Sequence, residues 1–248
     1  GRWLMVANYS SGSLSVLRVE SGGRLGERLQ VVTHEGSSSD SRRRLISKDE
    51  KKILAAILLP GAGDPVLEGV RPERQERSHA HCILFDPGRR YALAADLGQD
   101  RVWVYRQGTD GRLSAASDKL EWYERGWIGI EPAEAAQEAR PEGSGKPISG
   151  HSLKPGAGPR HLVFHPNGRF LYVSTELAST VTVFAWDGQT GELRPIQDLS
   201  VLPADYLGSN DVAHLAFSPD GRSLYVSNRG HDSLAAFGVD GESGLLTL

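Results

Sequence analysis

Four residues of this chain could do chemistry as a set: His81, Arg160, Glu176 and Arg229. Arg160 and Glu176 bracket an otherwise ordinary stretch, PGAGPRHLVFHPNGRFLYVSTEL, residues 155–177. Two guanidinium groups can hold a carboxylate or a phosphate through paired hydrogen bonds. They can also stabilise negative charge developing on an oxygen. A glutamate or histidine beside them can move a proton, with a proton affinity tuned by those cations. Taken singly, each residue has a plain structural alternative. Arg160 and Glu176 could pair across strand ends, and Arg229, in NRGHD, could bond to turn carbonyls. Their shared spacing is what singles them out, and that spacing comes from a repeat.

Four stretches of the chain align with one another. They begin GRWLMVANYSSGSLSV at residue 1, DPGRRYALAADLGQDRVWVY at 86, HPNGRFLYVSTELASTVTVF at 165 and SPDGRSLYVSNRGHDSLAAF at 218. Each reads as turn, strand, short polar loop, strand, Gly/Asp turn and leucine. The last three follow apolar runs, CILF, HLVF and HLAF, and a further strand is expected after each leucine, as in LRPIQDLSVL. Four antiparallel strands per unit, repeated with almost no helical periodicity, predict an all-β fold, a β-propeller of four-stranded blades. The turn prolines Pro87, Pro166 and Pro219 stand 79 and 53 residues apart. A blade takes roughly 40–50 residues, so about 30 are extra between the second and third repeats, with a similar excess between the first and second. The surplus maps to residues 39–70 and 121–150, charged and unlike the blades. Both are expected to be peripheral insertions that add no strand to a sheet, the second with a short helix at PAEAAQEAR. The whole chain, residues 1–248, reads as one partial propeller domain.

With each turn proline as zero, Arg160 falls at −6, the place of His81 in the preceding repeat. Glu176 falls at +10, the place of Arg229 in the following one. Position −6 begins a blade's first strand and +10 ends its second, and in an antiparallel pair those points lie at one edge. The four side chains are therefore expected on one face of the propeller, with His81 and Arg160 nearest the central channel. His161 and His214 share position −5 and are expected to point the other way, and His165 sits in the turn at the opposite face. His79 and His81, as H-A-H, could present two nitrogens to a metal, but no metal or cofactor is expected. The GAG of PGAGPR opens no helix and is not a phosphate loop.

Composition narrows the function. A formal charge of −3 argues against a nucleic-acid partner. No apolar run approaches the roughly 18 residues that span a membrane, since ILAAILLPGAG is short and holds Pro60. The single cysteine, Cys82, rules out an internal disulfide and suits a reducing compartment, so a cytoplasmic location is expected.

The same stretches resemble the seven-bladed propeller lactonase family, which includes bacterial 6-phosphogluconolactonases and fungal carboxy-cis,cis-muconate cyclases. VANYSSGSLSV, HEGSS, RPERQERSHAH, FDPGRRYALAADLGQDRVWVY, GPRHLVFHPNGRFLYVSTELASTVTVF and SPDGRSLYVSNRGHDSLAAF carry the likeness and cover most of the chain outside the insertions. The resemblance implies a metal-independent site of one His, one Glu and two Arg, which here are His81, Glu176, Arg160 and Arg229. The family's usual NEL is Thr175-Glu176-Leu177 here, and the first insertion separates HEGSS from PERQ. Hydrolysis of an anionic sugar lactone, foremost 6-phosphogluconolactone, is the expected function. Muconate cyclisation and a non-catalytic binding propeller are the alternatives. Four repeats against seven blades give the expectation of an open arc whose unpaired edges self-associate.

Overall fold

The structure, a computed structural model, describes residues 2–34, 36, 72–114 and 149–248. Among these, helical structure is confined to 3-10 turns at Ser21–Gly23 and Pro72–Arg74. Everything else regular is antiparallel sheet. The first blade has three strands in spatial order, β1 (Trp3–Asn8), β2 (Ser13–Val19) and β3 (Leu25–Thr33). The second runs β4 (Ala80–Phe85), β5 (Tyr91–Asp96), β6 (Arg101–Gln107) and β7 (Leu113–Ser114), with β8 (Ser149–Ser152) also paired to β6. The third holds β9 (Pro159–Phe164), β10 (Phe170–Thr175), β11 (Thr180–Asp187) and β12 (Glu192–Ser200). The fourth holds β13 (Asp211–Phe217), β14 (Ser223–Arg229), β15 (Leu234–Val239) and β16 (Leu246–Thr247). The chain thus forms the expected propeller blades.

Burial follows from stacking blade on blade. The second strands YALAAD and FLYVST are buried at every position, because a neighbouring blade covers each face. Such strands read as continuous apolar runs, not as alternating ones. Three apolar layers result. Leu14, Val16 and Val32 pack with Ala92, Ala94 and Tyr105. Tyr91, Leu93 and Val104 pack with Leu171, Val173 and Phe184. Tyr172 and Val183 pack with Leu224, Val226 and Phe237. The turns at the far face need a left-handed residue two places after the proline. Gly168 and Gly221 supply it at φ 73°, and Arg89 adopts it at φ 52° without that freedom.

The insertions need one correction. Residues 39–70, residues 121–148 and the PAEAAQEAR segment lie outside the described residues. Residues 149 and 150, however, belong to a blade: Ser149 pairs with Val104 and Gly150 with Trp103. β7 meets β6 at Arg106 and Gln107, and β8 resumes the same ladder further along. The two pieces are halves of one outer strand. The extra stretch therefore interrupts that strand instead of following it, and it ends before Ser149.

Candidate active site

A shared irregularity aims the first strands. In β4 the ladder with β5 passes from Cys82–Ala95 to Ala80–Asp96, skipping His81. In β9 the ladder with β10 passes from His161–Ser174 to Pro159–Thr175, skipping Arg160. In β13, two residues, Ala213 and His214, lie between the pairs Leu215–Val226 and Val212–Asn228. Position −6 is thus a β-bulge, and a bulge redirects a side chain out of the sheet's normal alternation. The backbone dictates where His81 and Arg160 point.

Glu176, one residue past β10, lies at the centre. Its side chain is 2% exposed. Arg160 donates from Nε to Oε2 at 2.8 Å, and Arg74 from Nη2 to Oε1 at 2.6 Å. Arg229 Nη2 is 3.1 Å from Oε2, and His81 Nε2 is 3.9 Å from it. All four residues singled out in the sequence therefore converge. Glu176 is fixed by its own backbone: its N–H donates to Gly158 O, and its carbonyl accepts from the Val212 N–H. Arg160 is also anchored, Nη1 donating to Ala213 O at 2.7 Å. Arg229 is the open member, with a side chain 51% exposed.

The charges set the proton affinities. Burial alone would raise the Glu176 carboxyl, but the hydrogen bond and charge of Arg74, with Arg229 and Arg160, outweigh it and hold it below the usual range. Burial lowers His81, and the Arg160 charge adds to the effect, so its imidazole is neutral near pH 7. Its Nδ1 is buried without a hydrogen-bond partner among the described residues. The site therefore combines an ionised carboxylate, three cations and a neutral histidine. Three guanidinium charges against one carboxylate leave it a surplus of two positive charges.

Arg74 and Tyr9 complete the arrangement and are absent from the set read in the sequence. Arg74 lies in PERQ and has no counterpart in the other repeats, so the register could not reveal it. Tyr9 does have a signal: it follows Asn8 at the end of β1 as Glu176 follows Thr175 at the end of β10, which is position +10 of the first blade. Arg74 donates to its hydroxyl from Nε at 3.3 Å and Nη2 at 3.2 Å. A buried carboxylate, Asp100, ties together the loops that carry the arginines. It accepts from Gln75 Nε2 at 2.6 Å and from the Gly156 and Gly158 N–H groups at 2.8 Å. A second buried group, Asp96, accepts from the His79 N–H at 2.8 Å and meets His34 Nδ1 at 2.6 Å, fastening the start of β4 to the first blade.

The expectation that His161 and His214 point away from the site is corrected. His161 does not point away: its ring nitrogens are 3.2 and 3.3 Å from Arg160 Nη1, and its ring is 5.3 Å from that of His81. Simple alternation fails there because the bulge places neighbouring side chains on the same side. His214 follows it, with Nδ1 2.8 Å from His161 Nδ1. His79, in contrast, does not offer free nitrogens beside His81. Its Nδ1 lies 3.1 Å from Tyr9 O and its Nε2 3.1 Å from Glu76 Oε1.

These environments have a consequence for stability. Burial, with Arg160 and His81 nearby, lowers His161 to about 4. Burial, with Arg101, lowers His151 to about 4. The unfolded chain, with histidines near 6.5, then binds these protons more tightly than the fold does, so stability rises with pH across that interval. Glu176 acts in the same direction, its contribution being lost as pH falls below the ordinary carboxyl range. The thermal midpoint is expected to fall steadily from pH 6.5 to pH 4. A midpoint that holds or rises on acidification would contradict these assignments.

The family model described as a seven-bladed β-propeller lactonase matches residues 1–122 and 139–248. The chain is 29% identical over 245 residues to the 6-phosphogluconolactonase of Bacillus subtilis strain 168, covering 99% of this chain and 52% of that protein. Among solved structures, it is similar to a protein from Lactobacillus plantarum, with TM-score 0.70 and 28% identity, covering all of this chain and 53% of that one. It is also similar to the periplasmic gluconolactonase of Pseudomonas aeruginosa, with TM-score 0.66 and 31% identity over 99% of this chain and 52% of that one. The chain spans about half the length of these relatives.

Proposed function

Because the chain belongs to the seven-bladed β-propeller lactonase family, we propose that the protein hydrolyses an anionic sugar lactone, 6-phosphogluconolactone first, to the open acid. The observation that carries the reading is the buried Glu176 carboxylate, held by three guanidinium groups with the His81 imidazole 3.9 Å away. Ring opening needs an activated water, a partner for the carbonyl oxygen as it gains charge, and a grip on the substrate's anion. Neutral His81 takes a proton from water as the water oxygen bonds to the carbonyl carbon. Arg160, anchored and aligned, faces the oxygen that gains charge. Arg229, the most exposed of the cations, holds the phosphate. Glu176 keeps its negative charge throughout and orients the three arginines. The name of the Bacillus subtilis relative supports a phosphorylated sugar lactone, and that of the Pseudomonas aeruginosa relative supports a sugar lactone.

The test is turnover by the whole protein of 6-phosphogluconolactone and of gluconolactone, followed by acid release above the spontaneous rate. The phosphorylated lactone is expected to be preferred about 10- to 100-fold in kcat/KM, the scale of one charge-assisted contact. Cyclisation of carboxy-cis,cis-muconate with no lactone turnover would overturn the reading.

A further inference from the structure

Tyr9 occupies the repeat position of Glu176 and Arg229, and its hydroxyl oxygen is engaged by the Arg74 guanidinium beside Glu176. The register is confirmed by the loops. Asn8 pairs with Ser13, Asp96 with Arg101 and Thr175 with Thr180, five residues on in each case. The residue that closes each loop, Gly12, Asp100, Ser179 or Asp232, is left-handed, at φ 62°, 53°, 54° and 52°. The ring of Tyr9 is fixed by stacking on His79 at 4.5 Å and by an edge contact with His81 at 5.3 Å. Its oxygen accepts from Arg74, whose Nη2 also reaches Glu176 Oε1. With guanidinium N–H groups directed at that oxygen, the phenol's own hydrogen must point elsewhere, and among the described residues no acceptor takes it.

We propose that Tyr9 is the general acid of ring opening, giving its phenolic proton to the ring oxygen as the carbonyl carbon–oxygen bond breaks. This rests on the lactonase reading above. The steps balance. Water adds its oxygen to the carbonyl carbon while His81 takes one water proton. The tetrahedral adduct collapses, and the bond electrons pass to the ring oxygen, which takes the proton of Tyr9 and becomes the product hydroxyl. The transient phenolate is balanced by the Arg74 guanidinium and recovers a proton from protonated His81, directly or through water. The new carboxylic acid loses its proton to solvent, so each turnover consumes one water and releases one proton.

Tyr9→Phe keeps the ring against His79 and His81 and removes only the hydroxyl. In the whole protein it is expected to lower kcat on 6-phosphogluconolactone by about 10²-fold, the scale of one general acid, with little change in KM. The discriminating readout is the leaving group. With an aryl ester of an anionic acid, whose departing phenolate needs no proton, the variant should approach wild-type turnover. Equal losses on lactone and aryl ester would mean that Tyr9 only shapes the site, and would overturn the proposal. Full lactone turnover by a folded Tyr9→Phe protein would overturn it too, leaving the lactonase reading intact. A wild-type protein without lactone turnover would remove both. If Tyr9→Phe does not fold, 3-fluorotyrosine at position 9 keeps shape and hydroxyl while making the phenol more acidic, and an unchanged kcat there would count against the assignment.

Discussion

Replacing His81 with alanine is expected to lower kcat for lactone hydrolysis by about 10²- to 10⁴-fold, the range for loss of a positioned proton-transfer group. Burial and the Arg160 charge lower its proton affinity, so the imidazole is in its basic form near neutrality. Glu176 is the other base in reach, but its charge is engaged by Arg74, Arg160 and Arg229, and protonating it would forfeit those contacts. The pH dependence has a definite sign. Activity should rise with pH as His81 deprotonates, with a midpoint below 6.5, and then level off. In His81→Ala that limb should vanish along with most of the rate. A variant that keeps full turnover and the same acid limb would exclude His81 as the base.

Glu176→Gln is expected to lose activity at least 10²-fold and to destabilise the fold as well. The amide cannot balance three guanidinium groups, each within 3.1 Å of the present carboxylate. Removing one partner of a buried ion pair costs about 3–5 kcal/mol; the lower end applies, since solvent reaches Arg74 and Arg229. For a domain of this size that corresponds to a thermal midpoint roughly 6–12 °C lower. The two effects separate by rescue. Raised salt or added phosphate should recover part of the midpoint by screening the cations, while kcat stays low because Arg160 is no longer aligned. A Glu176→Gln protein with wild-type midpoint and wild-type kcat would show that the carboxylate does not organise the site.

Much of this molecule is determined by sequence alone, because a β-repeat converts sequence position into spatial position. Antiparallel strands make the start of one and the end of the next share an edge, so −6 and +10 bring His81, Arg160, Glu176 and Arg229 together without any knowledge of packing. The same register reaches Tyr9 in the first blade. What the tertiary structure decided lies outside that periodicity. The bulge at −6 breaks alternation and turns His161 toward Arg160, because a ladder with one unpaired residue no longer sends neighbours to opposite faces. Arg74 has no repeat mate, and its approach to Glu176 follows from how its loop folds against Tyr9 and is tied through Gln75 to Asp100. The outer strand of the second blade is assembled from β7 and β8 on either side of a long interruption, a pairing made in space by β6 and not by local pattern. Local periodicity settles which residues share an edge; closure between distant loops, driven by buried carboxylates that must find donors, settles which of them meet.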